Sequence, residues 1–131
     1  MRRLNLFLGI GWVLLLGACS LPDDEERLAK QGLPPAGFEG QVEAGRELYA
    51  AHCAACHGRM MKGSRQGPPL LHKVYEPGHH ADLAFYRAVK DGVVSHHWGF
   101  GDMPPQPQVS PKHAAHIIAY VRNRQRQVGI E

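Results

Sequence analysis

Apolar residues return every third or fourth position in three separate stretches of this 131-residue chain, and long alternating runs are almost absent. That spacing gathers side chains on one face of a helix, whereas strict alternation would mark a strand. Val42, Gly45, Leu48, Tyr49 and His52 set the first stretch and predict a helix running toward Cys53. Asp82 is placed to cap a second helix that ends at Asp91, with Phe85, Tyr86 and Val89 on one face and Gly92 closing it. Ser110-Pro111 starts a third: serine caps the first turn and proline fits the first helical position. Ala114, Ile117, Ile118 and Val121 form its apolar face, while Arg122, Arg124 and Arg126 suit its C-terminal end. His113 and His116 fall on its polar side and read as solvated. No internal repeat is visible, and the length allows one domain. The expectation is an all-α fold.

The N-terminus follows a different logic. Arg2 and Arg3 precede an apolar stretch from Leu4 to Leu16, and small residues close it at Ala18. That is the layout of a secretory signal over residues 1–18. The stretch is about 13 residues, short of the roughly 20 that span a bilayer. Leu16-Gly17-Ala18-Cys19 resembles a bacterial lipobox, which implies a lipidated Cys19 and cleavage before it. An uncleaved anchor and an ordinary secreted protein are the alternatives. Residues 19–40 then form a tether, with the acidic run Asp23 to Glu26 followed by Pro34, Pro35 and nearby glycines. Two readings stay open for it: a short helix over Glu25 to Gln31, or disorder, since it offers little apolar surface to bury. Cleavage removes Arg2 and Arg3 and no acid, taking the formal charge from +3 to +1. So weak a balance, without basic and aromatic residues interleaved, argues against nucleic acid.

Chemistry concentrates at Cys53-Ala54-Ala55-Cys56-His57. C-x-x-C-H reads as a c-type haem attachment site, with two thiols for the vinyl groups of one porphyrin and the histidine left for its iron. A structural zinc site wants four ligands in spaced pairs, and Cys19, His113 and His116 lie too far away to complete one. A redox dithiol of the thioredoxin kind belongs near a βαβ pattern, which this chain lacks. With Cys19 lipidated, no cysteine pair remains for a disulfide.

Gly45 and Tyr49 before the motif, Gly67-Pro68 after it, Met103-Pro104 later and Tyr120 in the last helix together resemble class I monohaem cytochromes c, from about Gly40 to Gln127. The resemblance implies a small helical fold around one covalent haem, over residues 41–131. It implies that the first and last helices cross near Gly45, where the absent side chain admits Tyr120. It also implies that the Pro68 carbonyl holds the Nδ1 of His57, although Pro69 leaves that register open by one residue.

The sixth iron ligand sets the chemistry. Met60 and Met61 lie three and four residues beyond His57, a reach of about 10 to 14 Å at full extension, too short to round the macrocycle. They read as packing or loop surface. Met103 has ample chain, sits among Gly99, Gly101, Pro104, Pro105 and Pro107, and is biased toward extended backbone by Pro104. It also stands where the family carries its ligand methionine. The rivals are His96 and His97, which would lower the reduction potential, whereas a thioether raises it. The pairs His79-His80 and His96-His97 also offer donors for copper or zinc, but no spacing dictates a second site, and both read as loop histidines near the haem rim. Trp98 either packs on the porphyrin or donates to a propionate, packing being the reading adopted. Arg59, Lys62, Arg65 and Lys73 either ring an exposed haem edge for an acidic redox partner or form a solvated face.

The expected protein is therefore a lipid-tethered, periplasm-facing electron carrier with His57 and Met103 on iron, and not an enzyme. Its partners would be a redox donor, a redox acceptor and the membrane. Two other readings are a gas- or peroxide-binding haem protein and a dedicated cytochrome subunit of a larger oxidoreductase.

Overall fold

The computed structural model describes residues 23–131, so the signal segment and Cys19 lie outside the described residues. Among the described residues five α-helices follow in order: α1 (Asp24–Lys30), α2 (Val42–His52), α3 (Ala54–His57), α4 (Asp82–Asp91) and α5 (Pro111–Gln127), with a 3-10 turn at Lys73–Tyr75 between α3 and α4. Among the described residues the one extended pairing is an antiparallel bridge between Val93 and Met103. The fold is the small all-α one expected.

The longest helix, α5, starts where local chemistry says it should: the Ser110 side chain accepts from the His113 backbone N–H at 3.2 Å, with Pro111 beside it. Its apolar face buries Ala114, Ile117, Ile118 and Val121, and it packs chiefly on α2 and also on α4. The α2–α5 crossing depends on two glycines. A Cβ at Gly45 would overlap the His116 carbonyl oxygen and reach within 2.8 Å of the Tyr120 Cβ. One at Gly40 would overlap the Ala115 carbonyl. Missing side chains therefore let backbones meet, and Tyr49 packs edge-on against Tyr120 at 5.8 Å. Tyr49 is buried at the centre of the core with Ala54, Met61, Leu70 and Val109.

Three expectations change, and one open alternative is decided. Asp82 is the first helical residue of α4 and makes no cap, because its carboxylate accepts from the Arg122 guanidinium at 2.7 Å. Arg122 does not point to solvent at a helix end: it is buried, and it also donates to the carbonyls of Tyr75 and His80 and to Gln125. His116 is not simply solvated either. Its Nδ1 accepts from the Gln41 N–H at 2.8 Å at the start of α2, and Phe38 packs edge-on against its ring. Finally, the acidic run of the tether is helical, since Asp23 caps α1 by accepting from the Glu26 N–H at 2.7 Å. Packing of the following segment against α5 already begins at Phe38 and Gly40.

Candidate haem site

Cys53 ends α2 and begins α3, accepting from the backbone N–H groups of both Cys56 and His57. This one turn presents both thiols and the imidazole together. Gly58, at φ 79, stops α3, and its carbonyl takes the buried Tyr49 hydroxyl at 2.8 Å. The chain then folds back. His57 O accepts from Gly63, the Ser64 hydroxyl donates to Cys56 O at 2.6 Å, and Gly67 lies flat against the Cys56 backbone. A side chain at 67 would press within 3.0 Å of that backbone, so glycine is what lets the loop return this closely. The return brings the Pro68 carbonyl to 2.9 Å from His57 Nδ1. The acceptor is Pro68 and not Pro69.

That bond fixes the ring's tautomer. With Nδ1–H donated to a carbonyl, Nε2 keeps its lone pair for a metal. Burial holds the His57 ring below the usual imidazole range, and the Pro68 bond partly opposes this. The neutral, ligating form is therefore favoured. Neither motif cysteine is held in a disulfide: Cys53 is half-buried, and burial, then the neighbouring Cys56, pushes its thiol up to about 11, while Cys56 is exposed. Two unpaired thiols and one neutral, oriented imidazole on a single turn are the donor set that a covalent haem requires. The residues fit the group.

The other named residues sit on a separate loop. Gly92, at φ 78, ends α4 and faces the Met103 backbone without a Cβ between them. Val93 and Met103 exchange two backbone hydrogen bonds of 2.9 Å, closing a loop over 93–103 with half-buried Met103 at its base. Trp98, inside this loop, donates its indole N–H to the Tyr75 hydroxyl at 3.1 Å and meets the His72 ring edge-on at 4.9 Å. His96 and His97 are exposed on the same loop. Met61 is fully buried core and Met60 is exposed, which matches the packing and surface roles expected for them.

The structure adds two features to the sequence reading. The Arg122–Gln125 network pins the segment from Leu70 to Asp82, with the Gln125 amide donating to the carbonyls of Leu70 and Tyr75. The second is the approach of His79 and His80 to His97, two pairs that the sequence offered as metal donors without a spacing to join them. Only the close i to i+3 spacing of Arg122 and Gln125 on the apolar side of α5 hinted at the first.

Comparison with known proteins agrees with this geometry. The sequence profile of the cytochrome c family matches residues 42–125. Among solved structures, the chain resembles cytochrome CL from the marine methylotrophic bacterium Methylophaga aminisulfidivorans, with a TM-score of 0.52 at 24% identity over 83% of this chain and 71% of that one. At that identity the likeness speaks for the fold. Among curated proteins nothing matches. The family brings its cofactor with it, a covalently bound c-type haem, for which Cys53, Cys56 and His57 have the required spacing. The chain belongs to the cytochrome c family.

Proposed function

We propose that this cytochrome is a one-electron carrier of the bacterial cell envelope, with His57 and Met103 as axial ligands and a lipid on Cys19 tethering it toward the periplasm. The bound haem supplies the redox chemistry, its iron alternating between ferric and ferrous states. The chain's own residues hold and orient. Cys53 and Cys56 anchor the porphyrin, and the Pro68 carbonyl keeps His57 Nδ1 occupied so that Nε2 faces iron. Met103 suits the sixth position because paired hydrogen bonds to Val93 fix its backbone, a support that a carrier needs to keep its ligand in both oxidation states. The single observation that carries the reading is the 2.9 Å contact between His57 Nδ1 and the Pro68 carbonyl on the turn that carries Cys53 and Cys56.

Arg59, Lys62, Arg65 and Lys73 are all exposed, and among the described residues none makes an ion pair. They suit docking of an acidic redox partner, donor or acceptor.

Absorption spectroscopy of the holoprotein tests this. The ferric form is expected to show the weak near-infrared band of sulfur-to-iron ligation, and Met103→Ala to lose it and bind carbon monoxide when reduced. A carbon monoxide spectrum from the reduced wild type at neutral pH would instead place the protein among gas- or peroxide-binding haem proteins. Cys19→Ser is expected to release the protein from membranes into the soluble fraction.

A further inference from the structure

Away from the haem motif, four histidines converge from two segments that are distant in sequence. Neighbouring ring centroids lie 4.3 Å apart for His96 and His97, 4.7 Å for His79 and His80, 5.1 Å for His80 and His97, and 5.2 Å for His79 and His97. One ring nitrogen from each of His79, His80 and His97 lies within 4.8 Å of the other two. The Nε2 atoms of His79 and His97 face each other at 3.3 Å. Two imidazole nitrogens bound tetrahedrally to zinc at 2.0–2.1 Å are roughly 3.3 Å apart. A cis pair on square-planar copper would sit nearer about 2.8 Å.

The supporting contacts have the form that metal-ligating histidines usually show. His80 Nδ1 is paired with the Val74 carbonyl at 2.6 Å, and His96 Nδ1 with the Val94 carbonyl at 2.8 Å. A ring that donates Nδ1–H to a carbonyl keeps Nε2 bare for a cation. Both segments are also held from behind. Arg122 donates to the carbonyls of Tyr75 and His80 and to the Asp82 carboxylate, which locks the turn before α4. The loop over 93–103 is closed by the Val93–Met103 pairing and by the Ser95 N–H donating to Asp102 at 2.8 Å.

We propose that His79, His80 and His97 form a zinc site, with the fourth position open to water or to His96. Bound zinc would staple the turn before α4 to the loop that ends at Met103. The site is separate from the iron: its donors are spent on zinc only if none of them is the haem's axial ligand.

Calorimetric titration of the full holoprotein with zinc chloride, together with zinc X-ray absorption, tests this. One equivalent is expected to bind, with at least three imidazole nitrogens at the zinc distance. His79→Ala and His97→Ala, both at exposed positions, are each expected to weaken binding at least about tenfold. His113→Ala, on an exposed position of α5, is expected to bind zinc as the wild type does. His97→Ala should leave the haem spectrum unchanged. Failure to saturate at one equivalent, or wild-type affinity in both variants, would overturn the site. A shifted haem spectrum in His97→Ala would overturn it differently, by giving that imidazole to iron.

Discussion

Gly45 of α2 and Tyr120 of α5 meet where the two helices cross, with no room for even a methyl group between them. The neighbouring His116 carbonyl occupies the space a Cβ would need. Glycine inside a helix lowers its stability by about 1 kcal/mol relative to alanine, so elsewhere Gly45→Ala would be a gain. Here overpacking against backbone reverses the sign, and a net loss of about 1 to 3 kcal/mol is expected. Urea unfolding followed by haem absorbance checks it, and a variant more stable than the wild type would refute the crossing.

How far the sequence reached depends on how local each feature is. The Ser110-Pro111 start of α5 was legible because the cap and the residues it serves lie within four positions. Asp82 carried the same kind of signal and misled, because Arg122, forty residues on, claims its carboxylate. His116 looked solvated on a helical wheel, yet the start of α2 reaches it from 75 residues away. The haem turn was legible since Cys53, Cys56 and His57 are one local unit. The histidine cluster was legible only as two donor pairs with no spacing to join them, because its rings meet only after α4 and the Val93–Met103 bridge have turned the chain back on itself.

Arg122 ties four groups together from a buried position, so removing it should cost more than removing any one partner. Arg122→Ala leaves the His80 carbonyl and the Gln125 amide oxygen without their charged donor and the Tyr75 carbonyl with Gln125 alone, and a loss of about 3 to 5 kcal/mol is expected from about 1 to 3 per unsatisfied group. Asp82 is the exposed partner, yet Asp82→Ala leaves the buried Arg122 cation held by carbonyls and Gln125 alone, so a smaller loss of about 1 to 3 kcal/mol is expected. Denaturant midpoints for the two variants test the asymmetry. Equal losses would mean that the ion pair, and not the carbonyl grip, is what matters.

Met61 and Met60 are neighbours with opposite environments. Met61 is 1% exposed, with φ at 58°, while Met60 is 62% exposed. Met61→Ala opens a cavity beside Tyr49 and Leu70 and should destabilise by about 2 to 5 kcal/mol. Met60→Ala should stay within about 0.5 kcal/mol of the wild type. Neither is expected to alter the near-infrared ferric band, since neither sulfur serves the iron in this reading. Loss of that band in Met61→Ala, with the protein still folded, would move the sixth ligand away from Met103.

The crowding of His97 by three other imidazoles gives the zinc-free holoprotein a pH dependence of definite sign. Its proton affinity in the folded state is lowered from the ordinary value of 6.5, first by desolvation and then by His96, His80 and His79. Among the described residues no acid makes an ion pair with it, Glu76 and Asp102 on the adjoining segments included. Below about pH 6.5 the unfolded chain therefore takes up a proton that the folded one resists, and stability falls as pH falls through that window. Above it the contribution is complete and flat. Thermal midpoints between pH 7.5 and 5.5 should decline toward acid, and His97→Ala should flatten the decline. A wild-type midpoint that holds steady or rises on acidification, or an identical slope in the variant, would show that the four rings are too far from one another in solution to interact.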